Sequence, residues 1–123
     1  MPRALLAALA ILTAAAPEAA AGEVAGIWMR DDGSAKIRFA PCGEAVCGFL
    51  AWKKNPGGPA RIGQELFFDM KPNGSDAWAG SAFNPEDGRR YSGKMTLSGD
   101  RLVTAGCVLG GLICKSFDWT RVR

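Results

Sequence analysis

The chain reads as an all-β protein: a small eight-stranded antiparallel up-and-down barrel that follows an N-terminal signal peptide. Three observations predict this. Beyond residue 22, no long window repeats its apolar residues at helical spacing. Eight short apolar runs instead alternate with Gly, Pro, Asn and Asp, the punctuation of antiparallel strands. A meander of such strands exposes two edges, and closing the sheet on itself removes both.

The N-terminus sets the domain boundary. Met1–Arg3 is basic, Ala4–Ala16 is small and apolar apart from Thr13, and Pro17–Ala21 ends in Ala-x-Ala. That is the layout of a secretory signal, and the run falls short of the ~20 apolar residues of a membrane span. Residues 1–21 are therefore expected to be cleaved, leaving 22–123 as one barrel domain in the periplasm or outside the cell. No Cys follows the cleavage site, which argues against a lipoprotein. The net charge is +3, and losing Arg3 and Glu18 leaves it there. So mild a value does not suit a nucleic-acid binder, and no second apolar run offers a membrane span.

The strands are expected at 24–30, 34–40, 46–53, 65–70, 76–83, 89–98, 101–109 and 112–122. Asp31-Asp32-Gly33 is a tight turn between the first two. Residues 54–64, KNPGGPARIGQ, hold two Pro and three Gly and cannot be a strand. A loop of that kind is either a lid over one barrel mouth or a plain connector. Gly110-Gly111 reads as a two-residue hairpin connection. That register sets Cys107 opposite Cys114, at a hydrogen-bonded position where disulfide geometry is uncomfortable; a longer loop would shift the pair.

Four cysteines, Cys42, Cys47, Cys107 and Cys114, all lie in the exported part. An even number in an oxidising compartment implies two disulfides, with three connectivities open. The local pairs 42–47 and 107–114 are favoured, each contributing about 2 kcal/mol through its short loop. A zinc site is disfavoured by the spacings and by the absence of His, so no metal or cofactor is expected.

The stretch AFNPEDGRRYSG, 82–93, concentrates charge around a Pro and a Gly. Its acids are in the wrong order for a calcium loop. Glu86 and Asp87 are adjacent, whereas a glycosidase pair flanks a cleft. As a turn it fits: Asn84 accepts backbone hydrogen bonds, Pro85 presets φ, and Gly88 supplies a positive φ. Asn84, Glu86, Asp87 and Arg89 are thus turn residues that double as candidate contacts. Without His, no Ser or Cys nucleophile has its usual base, and no carboxylate pair stands out by spacing. An enzyme is not expected.

All four Trp lie in the exported part. Trp119 and Arg121 share a face of the last strand. In a closed barrel that strand neighbours the first, so Arg121 can stack on Trp28 or Trp119. The stack either plugs one end or holds an anionic head group in an aromatic cavity. Trp52, beside Lys53 at the root of the Pro-rich loop, is a candidate wall of an open mouth.

These residues resemble a known pattern. Gly26-Ile27-Trp28 with a late-strand Arg is similar to the barrel-closing signature of lipocalin-like proteins. The series Gly26-Ile27-Trp28, Cys47-Gly48, Trp52, Asn55-Pro56, Ile62-Gly63, Trp78-Ala79-Gly80, Asn84–Tyr91 and Trp119-Thr120-Arg121-Val122 resembles the bacterial exported family called domain of unknown function 2147. Asn84 and Arg89 stand where that family usually has Asp and Lys. The resemblance implies a periplasmic lipocalin-like barrel and no defined activity.

Two functions are expected to compete. One is a barrel that binds a small apolar or amphipathic ligand such as a fatty acid. Trp28, Trp52, Tyr91 and Trp119 would then form its wall, and Lys53 or Arg121 would meet an anionic group. The other is a protein-interaction module, such as an inhibitor of a cell-wall hydrolase, that presents residues 54–64 and 84–90.

Overall fold

The computed structural model describes residues 22–123, so the expected signal peptide lies outside the described residues. Eight strands follow one another: β1 (Gly26–Arg30), β2 (Ala35–Cys42), β3 (Ala45–Lys53), β4 (Glu65–Pro72), β5 (Ala77–Asn84), β6 (Arg89–Ser98), β7 (Arg101–Val108) and β8 (Ile113–Arg121). Each pairs antiparallel with the next, and β1 pairs with β8 to close the barrel. The lipocalin-like expectation holds. Among the described residues no helix is long and apolar enough to cross a membrane.

Closure rests on a short seam. β1 meets β8 only at Trp28↔Arg121, Met29↔Thr120 and Arg30↔Trp119. The strand is brief because Gly22–Val24 forms a 3₁₀ turn before it and Asp31 begins a turn after it. The upper part of β8, from Ile113 to Phe117, therefore pairs with β7 alone. It projects with β7 as a hairpin finger at one end of the barrel.

Alternation sorts the side chains. On β6, Gly93, Met95 and Leu97 are buried while their neighbours are exposed, as a half-solvated antiparallel strand requires. The core sits toward the end that carries the termini. Trp28, Ile37, Phe39, Val46, Met70, Trp78, Met95, Leu97 and Leu102 pack there with Val24 beneath. Trp28 donates its indole N–H to the carbonyl of Val24 at 3.0 Å. Burying side chains of this size contributes roughly 1.5–3 kcal/mol each before entropy is counted.

Irregularities fine-tune the wall. Around Asp69, whose φ is +54°, β4 bulges and the register with β5 shifts between Phe68 and Lys71. The bulge brings two carbonyls onto Gly80: a Cβ there would lie 2.6 Å from the oxygens of Phe68 and Asp69. Only glycine fits that contact. Pro41 lies near the end of β2, beyond the last β1 partner, Phe39, where a missing N–H is tolerated.

Both local disulfides are present, Cys42–Cys47 beside the β2–β3 turn and Cys107–Cys114 on the hairpin. The register Cys107↔Cys114 is the expected one. The connection differs: the strands stop at Val108 and Ile113, leaving Leu109–Leu112 as a four-residue loop. The longer loop puts the cysteines at a Cα separation of 4.0 Å, the spacing of a non-hydrogen-bonded pair.

Candidate functional site

One end of the barrel is sealed. Arg121 lies over the indole of Trp28, 4.4 Å from the ring centroid. Its guanidinium donates to the carbonyls of Glu23 and Ala25 and pairs with Asp100 at 3.2 Å. The side chain is only 17% exposed. Of the two partners foreseen for Arg121, the structure selects Trp28, and both residues belong to this plug rather than to a cavity.

The other end is open. A cavity of about 610 Å³ enters there, within the roughly 300–1,000 Å³ of small-molecule sites. Four connections surround it: the turn 31–34, the loop 54–64, the turn 85–88 and the hairpin finger. Phe67, Leu50, Ala82 and Trp119 line its depth, with Leu66 beside them. Trp119 donates to the hydroxyl of Thr104 at 2.9 Å, which satisfies both groups at the floor.

The rim is basic on one side. Arg30 lies over the ring of Phe117 at 3.9 Å, and Lys115 approaches the same ring at 5.6 Å. Arg30 also pairs with Asp32 at 3.3 Å. Lys53 points inward and donates to the carbonyls of Gly57 and Ala60, fastening the Pro-rich loop across the mouth. The loop's root is pinned too: Gly63 donates to Leu50 at 2.7 Å, and Leu50 donates to Gln64 at 2.9 Å. Residues 54–64 are therefore a tied rim in this structure.

The opposite side of the rim is the turn foreseen from the sequence. The side chain of Asn84 accepts the N–H of Glu86 at 2.9 Å, and Gly88 takes φ +69° while donating to the Asn84 carbonyl at 2.8 Å. Asp87 accepts the N–H of Arg89 at 2.9 Å and the phenol of Tyr91. The Tyr91 hydroxyl beside it holds the Asp87 carboxyl below the usual carboxylate range, and the same bond pushes the phenol up. Asp87 is thus a fixed anion near neutral pH. No group of three or more His, Cys, Asp or Glu side chains among the described residues is placed to hold a metal ion.

The cavity gathers Lys53, Tyr91 and Trp119 with Asn84, Glu86 and Asp87. It does not include Trp28 or Arg121, which seal the far end, nor Arg89. Trp52 lies outside the barrel, 39% exposed, with the Lys36 ammonium 5.4 Å from its ring. The cause is a bulge. The β2–β3 register shifts between Lys36 and Ile37, so Leu50 pairs with Ile37 and Trp52 with Lys36. That extra residue turns Lys53 inward and Trp52 outward. The residues that sequence reasoning missed are Arg30, Thr104, Lys115 and Phe117. A signal for two of them was there: the alternation that places Trp119 and Arg121 on one face also reaches Phe117 and Lys115.

Comparison with known proteins adds a family. Neither the curated proteins nor the solved structures include a match to this chain. A family model spans residues 26–121, from the first residue of β1 to the last of β8, so its extent is the barrel itself. The chain belongs to the family described as an uncharacterised protein conserved in bacteria, DUF2147.

Proposed function

We propose that the protein is an exported, non-enzymatic barrel that binds a small amphipathic molecule carrying an anionic group, such as a fatty acid. The observation that carries the reading is the cavity, which is closed at one end, apolar in its depth and basic along one side of its rim. A hydrocarbon tail would lie against Phe67, Leu50 and Trp119. Its carboxylate would meet Lys115 and Arg30 beside Phe117, two cations of the cavity lining that are not bound to loop carbonyls. Burial of the tail drives association, and the cations fix its direction. Asp87 and Glu86 across the mouth repel a head group seated on the wrong side.

Two carboxylates at a rim are a poor catalytic set here. One is held ionised by its tyrosine, and the chain has no His. Localisation in the periplasm or outside the cell accords with two disulfides.

The test is titration with a fluorescent long-chain fatty acid, read also by the emission of Trp119. The wild type is expected to bind with saturation at one equivalent. Lys115→Glu should weaken binding roughly tenfold, the effect of a reversed charge at the cavity rim. Ala82→Phe, which fills the cavity, should abolish it. Saturable binding that neither change affects would place the ligand elsewhere, and no binding of any apolar anion would refute the reading.

A further inference from the structure

The mouth carries a second feature that the cavity does not use. Four large apolar side chains among the described residues are more than half exposed: Leu112 at 85%, Leu109 at 67%, Ile62 at 58% and Ile113 at 57%. All four stand on two mouth connections, the hairpin finger and the loop 54–64. Exposed leucines are ordinary when scattered, whereas Leu109, Leu112 and Ile113 gathered on one hairpin tip signal contact with an apolar phase. The finger is also built to stay out. It pairs on one side only, it is stapled by Cys107–Cys114, and Leu109 is held at φ +54°, a left-handed conformation unfavourable for a leucine.

Cations surround the cluster. The Lys94 ammonium lies 3.7 Å from where a Cβ on Gly111 would be, so it reaches the hairpin tip from β6. Lys115 follows Ile113 on the finger, and Arg61 precedes Ile62 in the loop. Among the described residues none of these three has a carboxylate within ion-pair distance. Apolar tips framed by unneutralised cations match an anionic bilayer surface: the tips enter the acyl boundary and the cations meet headgroups.

We infer that the protein docks on anionic lipid bilayers through the hairpin finger at its mouth, with Leu109, Leu112 and Ile113 inserted and Lys94 on the headgroups. Lys115 also lines the cavity, but Leu109, Leu112, Ile113 and Lys94 do not, so docking stands whether or not the cavity takes an amphiphile. If it does, the orientation aligns the opening with the source of its ligand.

The experiment is co-sedimentation of the purified exported protein with vesicles of phosphatidylcholine, with or without about one-third phosphatidylglycerol. The expected result is binding to the anionic vesicles only, weakened by added salt. Leu112→Asp should reduce partitioning roughly tenfold or more, the worth of one inserted leucine, and Lys94→Gln about fivefold, the worth of one interfacial charge. Both sites are exposed, and unchanged circular dichroism would show that the fold survives. Ala82→Phe should leave docking intact, which separates it from the amphiphile reading. No binding to anionic vesicles, equal binding to both kinds, or indifference to Leu112→Asp would overturn the inference. Concentration-dependent dimerisation that Leu112→Asp removes would assign the tips to a second copy and overturn it too.

Discussion

The two ends of this barrel satisfy opposite requirements. At the sealed end the cations of the plug have an anion: Arg121 and Arg123 share Asp100. Large side chains there are fully buried, Trp28 and Phe39 among them. At the mouth, Lys115 and Lys94 have no carboxylate partner among the described residues, and leucines face solvent. Stability is concentrated where nothing enters, and unsatisfied chemistry is concentrated where something can. The contrast teaches where to look for function: at the groups the fold has left unpaired.

That division is open to attack, most forcefully with truncations. Trp28→Ala should cost about 3–5 kcal/mol in urea unfolding, as expected for an aromatic removed from a packed core. Leu112→Ala should fall within about 0.5 kcal/mol of wild type. Comparable losses at both sites would erase the distinction. Next come the disulfides. Replacing either pair by serines should lower stability by about 2 kcal/mol, since the two loops are of similar length. Only the loss of Cys107–Cys114 should change fatty-acid binding, because that staple holds the finger beside the cavity. A binding change on losing Cys42–Cys47 instead would mean that the two ends communicate.

Smaller effects sharpen the picture. Leu109→Gly should stabilise by about 0.5–1 kcal/mol, relieving the positive φ, while weakening vesicle binding; a gain in both would show that the leucine is not a docking group. The pH response should be flat between about 5 and 9, where His would titrate in other proteins; this chain has none. Hydrogen bonds from Arg101 and then Thr120 hold Asp31 below the usual range, and Tyr91 does the same for Asp87. Their contribution is complete above the unfolded value of about 4 and is lost as pH falls through the folded values. Tyr91, raised by Asp87, contributes fully below about pH 10 and loses that contribution as pH rises through its folded value. Denaturation midpoints from about pH 3 to about pH 12 would test this. Asp31→Asn should blunt the acid limb with binding intact, and Asp87→Asn should blunt both limbs.

Much of the architecture was legible because its signals are local. Gly, Pro and Asn punctuation located all eight strands to within about two residues, and Asn84-Pro85 through Gly88 specified its own turn. The wall facing the ligand was harder to read. Alternation holds only while register holds, and the bulge between Lys36 and Ile37 exchanged Trp52 for Lys53 without leaving a mark in the β3 sequence. Arg121 was foreseen as a stacking cation with two roles. What chose between them was depth along the barrel axis, which depends on how far β1 overlaps β8 and is not encoded near Arg121. The exposed finger was hidden for a related reason: Ile113 and Leu112 look like strand interior until β1 proves too short to cover them.

That short overlap also orders events in time. Seven of the barrel's eight pairings join neighbours in sequence, and only the meeting of β1 and β8 links the two ends of the domain. Three residue pairs hold that meeting together. Hairpins form from local encounters, whereas a contact between chain ends bears the full entropy of loop closure. The seam should therefore be the last part of the protein to fold. Pulsed hydrogen exchange during refolding would then find the seam amides of Asp31 and Val122 protected after those of β5, β6 and β7, and the reverse order would show that the barrel closes before its staves are laid.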